Sequence, residues 1–345
     1  MKLEDLFKIA VDQSASDLHL IVGMPPVLRI DGNLSPLKEE KLSNKEAQEI
    51  IYPILTEKQK EIFLSQKELD LSYEIKTGHR FRVNLHWERD NIGLVARVIS
   101  SKIPDLKDIV MPEITYKLLE LKQGLILITG PTGCGKSTTL AAMINYINNQ
   151  RSANIVTLED PIEFLFKPSK SIIKQRQLHT DMLTFQSALI HVLRQDPNVI
   201  MVGEMRDLET IAATVTLAET GHLVLATLHT HNAAQTIDRI IDIFPSHQQQ
   251  QIRLQVSMTL KAVISQQLIP KFNGGRVASR EVLINVPAIS NMIRENKIAQ
   301  IKTVLQTSAE EGMITMDQDL VNLYNQGVID KETAQSHMSS PEMLN

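Results

Sequence analysis

The chain has 345 residues, 43% of them hydrophobic and 22% charged, and its 36 basic and 40 acidic side chains leave a formal net charge of −4. That length suggests two domains in a globular protein, and the slight acidic excess argues against a general nucleic-acid binder, which carries a basic surplus. A single cysteine, Cys134, excludes an intrachain disulfide and a cysteine zinc site, and fits a reducing compartment.

In chain order, MKLEDLFKIA places Leu3, Leu6, Phe7 and Ala10 at helical spacing. Glu4 and Asp5 make it no signal peptide. No apolar run approaches the ~18 residues of a membrane span, so a cytoplasmic chain is expected. SASDLHLIVG alternates like a strand, and MPPVLRIDGNLSPL suggests a strand closed by an Asp-Gly-Asn turn. KLSNKEAQEIIYPIL and TEKQKEIFLSQ resemble helices with Ser or Thr caps. LDLSYEI, HRFRVNLHWE and IGLVARVIS form a run of strands. Residues 1–102 are thus expected to form a small α+β unit, and residues 103–112, with Pro104 and Pro112, a linker.

From residue 113 to 345 the rhythm changes. Short apolar runs (GLILITG, NIVTLEDP, NVIMVGE, LVLATLH) alternate with helical patterns, one of them carrying Leu140, Met143, Ile144 and Ile147 on one face. Such alternation predicts an α/β domain built on a parallel sheet with crossover helices.

GPTGCGKST fits G-x-x-x-x-G-K-[ST], after an apolar strand and before a helix. Its glycines let backbone N–H groups approach phosphate, and the helix N-terminus adds positive potential. Gly130, Pro131, Thr132, Gly133, Cys134, Gly135, Lys136, Ser137 and Thr138 are therefore candidate ATP-binding residues. Lys136 is expected at the β- and γ-phosphates and Ser137 on Mg²⁺. NVIMVGE ends a strand at Glu204, with Gly203 where many P-loop proteins have Asp. LEDPIE supplies Glu159, Asp160 and Glu163 past another strand. Ligands of open α/β sheets bind beyond the carboxyl ends of the strands, so these carboxylates should reach the crevice of the phosphate loop. One would accept a proton from the attacking water and another would hold Mg²⁺ through water; Glu204 and Glu163 are the candidates, their roles left open.

GHLVLATLHT brackets an apolar run with His222 and His229. Seven residues of strand span roughly 23 Å, too far for one shared metal. His229 should face the nucleotide crevice, where it could sense the γ-phosphate. His222 should lie at the far end or at an interface, holding a loop or serving function. Arg80, Arg82, Arg89 and Arg97 could supply charge to a neighbour's γ-phosphate, with Arg82 and Arg97 brought together across a hairpin.

GPTGCGKSTT, TLEDPIE, RQDPNVIMVGEMRD and TGHLVLATLHT resemble, in order, the Walker A, Asp, Walker B and His boxes of the secretion-superfamily hexameric ATPases. ASDLHLIVGMPPVLRIDGNL, RFRVN, ISQQLIP and EEGMITMDQDL are similar to the branch that retracts type IV pili. The resemblance implies a PAS-like N-terminal domain, a RecA-like C-terminal ATPase domain and a homohexamer. It also implies ATP hydrolysis that drives pilin depolymerisation and twitching motility against an inner-membrane platform protein, from the cytoplasmic face of that membrane. It places both histidines in the His box and matches Arg82 and Arg97 to nucleotide-contacting positions. Two departures stand out: Asp196-Pro197-Asn198 for the usual Asp-Pro-Asp, and AISNMIRE with Ser290 where the retraction motif has Arg. In VPAISNMIRENKIAQI, Ile289, Met292 and Ile293 should face the core, with Asn291, Arg294, Glu295 and Lys297 largely opposite. An accessory retraction paralogue, or a pilus assembly or type II secretion ATPase, is the alternative; the last two generally carry a longer N-terminal region. A RecA-type nucleic-acid translocase would need a basic aromatic stripe that is missing, and a binding module without turnover would not need Glu163 and Glu204.

Overall fold

The computed structural model describes residues 2–30, 32–37, 40–99 and 102–344. They group into two compact units, Met1–Lys102 with Pro161–Leu165, and Ile103–Asp160 with Phe166–Asn345.

In the first unit, α1 (Leu3–Asp12) buries Leu3, Leu6, Phe7 and Ala10, the face its spacing predicts. It is followed by β1 (Asp17–Leu20), β2 (Val27–Ile30) and β3 (Asn33–Pro36). The stretch expected to be one strand closed by a turn is a hairpin, in which the mostly exposed β3 pairs antiparallel with β2. Asp31 of the expected turn lies outside the described residues. Helices α2 (Asn44–Ile51) and α3 (Glu57–Gln66) begin at capping boxes, Ser43 with Glu46 and Thr56 with Gln59. Strands β4 (Glu68–Glu74), β5 (Arg80–Glu88) and β6 (Asn91–Ile99) complete a six-stranded sheet of order β3-β2-β1-β6-β5-β4. Along β5, Phe81, Val83 and Leu85 point into the core while Arg82 is exposed, the period-2 pattern of a half-buried strand. Phe81 stacks on Phe7 with ring centroids 4.1 Å apart, tying α1 to the sheet.

The second unit opens with residues 103–112, which form turns without helix or strand. Then come α4 (Ile114–Glu120), β7 (Gly124–Thr129), α5 (Lys136–Gln150), β8 (Asn154–Glu159), β9 (Ile172–Gln177) and α6 (Phe185–Val192). They are followed by β10 (Val199–Val202), α7 (Leu208–Glu219), β11 (Leu223–Leu228), α8 (Ala233–Asp242) and α9 (Ser246–Thr259). The strands β12 (Leu260–Pro270) and β13 (Arg276–Ile284) precede α10 (Pro287–Arg294), α11 (Ile301–Thr307), α12 (Met316–Asn325) and α13 (Lys331–His337). The sheet order is β13-β12-β7-β11-β10-β8-β9, with every pair parallel except β12 with β13. All residues of β7, β8, β10 and β11 are buried. Helices cover both faces of such a sheet, so its inner strands are continuous apolar runs. Among the described residues no helix is long and apolar enough to cross a membrane.

The helix expected over residues 286–301 is broken. It ends at Arg294, because Asn296 takes a left-handed φ of 58°. Ile289, Ile293, Ile298 and Ile301 still reach the core, while Asn291, Arg294 and Glu295 are exposed.

Phe81→Ala should remove the ring that joins α1 to the sheet and destabilise the first unit by about 3–5 kcal/mol. Urea unfolding of that unit measures it, and a loss below about 1 kcal/mol would contradict the packing.

Candidate active site

Parallel register brings the carboxyl ends of four strands to one edge of the second sheet. Thr129 of β7 pairs with Leu228 of β11, Ala226 of β11 with Val202 of β10, and Val202 with Leu158 of β8. The next residues in each chain segment are Gly130, His229, Gly203 with Glu204, and Glu159.

Residues 130–137 loop from β7 into α5 with Gly130, Gly133 and Gly135 at φ of 140°, 80° and 89°. These are backbone conformations that side chains resist. At Gly130 the space is also filled, since a Cβ would lie 2.2 Å from the Gln266 carbonyl oxygen and 2.7 Å from Cys134 Sγ. Gly135 is the N-cap of α5 and supplies no side-chain cap, which leaves the first N–H groups of the helix for an anion. The Lys136 ammonium donates to the carbonyls of Gly130 (2.8 Å) and Pro131 (3.0 Å), so its charge stands over the loop. Ser137 and Thr138 are half-buried in the first turn of α5, and Thr132 is exposed at the loop tip. Cys134 is buried, and burial pushes its thiol upward, away from the reactive thiolate.

Glu204 is only 15% exposed, and both of its oxygens are engaged. Oε1 pairs with the Arg206 guanidinium and Oε2 lies 3.2 Å from His229 Nε2. His229 thus sits at the carboxyl end of β11 and touches a carboxylate from the end of β10. Gly203 has a local reason: a Cβ there would come within 3.1 Å of the Leu158 carbonyl oxygen. The Asp that often precedes this Glu would crowd the neighbouring strand.

The carboxylates of LEDPIE part company. Glu159 is buried, accepting from Thr157 Oγ1 (2.6 Å) and Gln175 Nε2 (3.0 Å), which ties it to β9. Asp160 is exposed. Glu163 is half-buried within Pro161–Leu165, which groups with the first unit. His222 lies at the opposite, amino end of β11. Its Nδ1 is 3.1 Å from the Leu217 carbonyl oxygen and 3.2 Å from Thr220 Oγ1, so it closes the turn after α7. Among the described residues no group of three His, Cys, Asp or Glu could hold a metal ion by itself.

In the first unit, β5 and β6 pair Arg82 directly with Arg97, and β1 pairs Asp17 with Arg97 on the other side and with Arg29 beyond it. One rung across the sheet therefore carries three arginines and one aspartate. Asp17 is buried and accepts from Arg97 Nε at 2.8 Å. Burial works to raise its carboxyl, but the Ser16 hydroxyl and the Arg97 guanidinium outweigh that and hold it below the usual range. Its pairing to Arg97 therefore persists throughout neutral and mildly acidic pH. Arg97 is 70% exposed and meets Asp17 through Nε.

Three residues that hold these groups in place carried no sequence signal of their own: Arg206, Asp17 and Gln266. Arg206 sits two positions after Glu204, a spacing on a loop that fixes nothing until the chain folds. Gln266 donates from Nε2 to the Cys134 carbonyl (2.7 Å) and accepts from Thr139 Oγ1 (3.0 Å), although it lies in a strand far along the chain.

The family of type II/IV secretion system proteins matches residues 2–333. The chain is 45% identical over 342 residues to the type IV pilus retraction ATPase PilT of Pseudomonas aeruginosa, covering 99% of both. It is 45% identical over 340 residues to a twitching motility protein of Neisseria gonorrhoeae, covering 98% of this chain and 91% of that one. A crystal structure of the pilus retraction motor PilT with bound ADP superposes with a TM-score of 0.94 at 44% identity, covering 99% of this chain and 98% of that one. The fold expected from sequence, a RecA-like P-loop ATPase domain with a smaller PAS-like α+β unit, is the fold the two share.

Gly130→Ala should weaken ADP binding at least tenfold, since the methyl group has nowhere to go and the φ of 140° is strained besides. Titration with a fluorescent ADP analogue checks this, and wild-type affinity would contradict the close packing.

Proposed function

This chain belongs to the family of type II/IV secretion system proteins, and on that premise we propose that it is a motor ATPase that retracts type IV pili. The observation that carries the reading is the likeness over essentially the whole chain to a retraction ATPase. The convergence of phosphate loop, Glu204 and His229 at one sheet edge supports it.

In this reading the N–H groups of residues 130–137 and the Lys136 ammonium bind the phosphates of ATP, and Lys136 exchanges loop carbonyls for phosphate oxygens. Ser137, in the first turn of α5, would hold Mg²⁺, and Glu204 would assist it through water. The ion would neutralise charge developing on the transferring phosphate. Glu204 or Glu163 takes the proton of the attacking water. His229, bonded to Glu204, registers whether the γ-phosphate is present. Arg82 and Arg97 act on a neighbouring subunit's nucleotide, in a homohexamer whose working unit is an interface. Residues 1–102 form the arginine-bearing domain, 103–112 the linker and 113–345 the ATPase domain.

Retraction requires a fixed partner. The partner of this reading is the pilus platform protein of the inner membrane, met from the cytoplasmic face by a peripheral ring. The exposed polar face of α10 is suited to transmit motion, and Ser290 lies elsewhere: its hydroxyl donates to the Ser257 carbonyl at 2.8 Å, pinning α10 to α9. An accessory retraction paralogue would share the site; the two differ in whether the chain alone sustains twitching.

Glu204→Gln should keep ATP binding and lose turnover by at least ~100-fold, with Glu163→Gln equal or milder. Phosphate-release kinetics beside equilibrium ATP binding separate the two effects, and wild-type turnover in both variants would refute the carboxylate mechanism.

The function itself is tested by deleting the gene in its host. Twitching should stop and surface pili should accumulate. Complementation with Asn291, Arg294 and Glu295 all changed to Ala should restore hexamer and ATPase but not twitching. Normal twitching in the deletion strain would remove the retraction assignment, and normal twitching with the triple variant would reduce α10 to a structural element.

A further inference from the structure

Arg280, on β13, is 3% exposed, and burial pulls its guanidinium down to about 10, with Asp319 opposing. It is therefore charged at neutral pH inside the protein. Its bonds do not match that placement. Nη1 donates to the Val110 carbonyl at 3.0 Å and, more weakly, to Ala278 at 3.4 Å, while the buried Nε has no hydrogen-bond partner. Asp319 Oδ2 accepts from the Arg280 backbone N–H and from Ser279 Oγ. A buried cation with an unbonded Nε is expensive to hold.

Its neighbours suggest what it does. Directly across the β12–β13 ladder from Arg280 is Gln266, itself 1% exposed. Opposed residues in a ladder share a face, so the two side chains form one buried polar row. At one end Gln266 holds the phosphate loop through the Cys134 carbonyl and α5 through Thr139. Its own carbonyl packs on Gly130 so closely that a Cβ could not intervene. At the other end Arg280 holds Val110 in the connector.

Val110 is a β-branched residue at a φ of 53°, a conformation that costs on the order of 1–3 kcal/mol unless its surroundings impose it. Leu106 and Met111 anchor the segment on either side, and the N–H groups of Asp108, Ile109, Val110 and Met111 bond back to Asp105, Lys107 and Leu106. Beside it is a cleft of about 260 Å³, lined by Asp105, Leu106, Lys107, Tyr116 and Tyr146 among others, which gives the segment room to rearrange.

We infer that Gln266 sets the phosphate loop and that Arg280, opposite it in the same buried polar row, passes the loop's state to the connector. The inference rests on the nucleotide reading of residues 130–137. When Lys136 leaves the carbonyls of Gly130 and Pro131 for phosphate, the loop shifts against Gln266. Close packing transmits that shift to Arg280, and Arg280 either keeps or releases the strained turn at Val110. The connector thus has two arrangements, and the nucleotide biases them by differential contact.

Hydrogen exchange of the amides at residues 108–111, with and without saturating ADP, tests this on the full chain, beside calorimetric ADP binding. In the wild type, ADP should change exchange there at least threefold. Gln266→Met loses both side-chain hydrogen bonds to the loop and helix and should weaken ADP binding about fivefold to tenfold. Arg280→Met should bind ADP within about twofold of wild type, yet lose the connector's response. A merely structural row would lower stability in both variants without splitting affinity from response. Should Arg280→Met fail to fold, Arg280→Lys keeps the charge without the fork and should retain less than half of the response. Wild-type ADP binding with unchanged exchange at 108–111 overturns the inference while leaving the nucleotide site intact, as does a full response in either folded Arg280 variant. No ADP binding in the wild type overturns the nucleotide reading and the inference with it.

Discussion

The second unit depends on the approach of two backbones. Gly130 leaves β7 against the carbonyl of Gln266 on β12, with no space for even a methyl group between them. That contact fixes where the phosphate loop begins, so it fixes where α5 points and where Lys136 stands. The parallel register of β7, β11, β10 and β8 then sets His229 and Glu204 along the same edge. Rigid strands bring the start of the phosphate loop, Glu204 and His229 to this edge, and the loop of residues 130–137 adds its backbone N–H groups.

The first unit works from a different constraint. Its rung of Arg29, Asp17, Arg97 and Arg82 sets three cations beside one buried carboxylate. Asp17 pairs with two of them, Arg97 at 2.8 Å and Arg29 at 4.0 Å. Asp17 holds Arg97 through Nε, which orients its guanidinium.

Much of this was legible in the sequence, for identifiable reasons. GLILIT, NIVTLE, VIMV and LVLATL are continuous apolar runs because helices cover both sides of them, and they are the inner strands. The phosphate loop was legible because its chemistry needs glycines at fixed offsets. IIKQRQ was not legible as β9, since an edge strand keeps polar side chains on its open side. LKAVISQQLIP hid its role for the opposite reason: Gln266 is polar and yet buried, spent on the phosphate loop. The single strand expected near residue 30 became a hairpin, and the helix expected to residue 301 stopped at a left-handed Asn296. Local pattern marks such elements but cannot fix their ends. The ion pair of Glu204 with Arg206 belongs to the same class, because a contact between two loop side chains exists only once the fold has placed them.

We propose an ATPase completed by its neighbour, with Lys136 and Glu204 from one subunit and Arg82 and Arg97 from the next. Specific ATPase activity measured against protein concentration, with the mass of the species present at each point, tests it most directly. Activity per chain should rise together with the hexamer and be nearly absent where only monomer is found. Full activity per chain in a solution of monomers would contradict it.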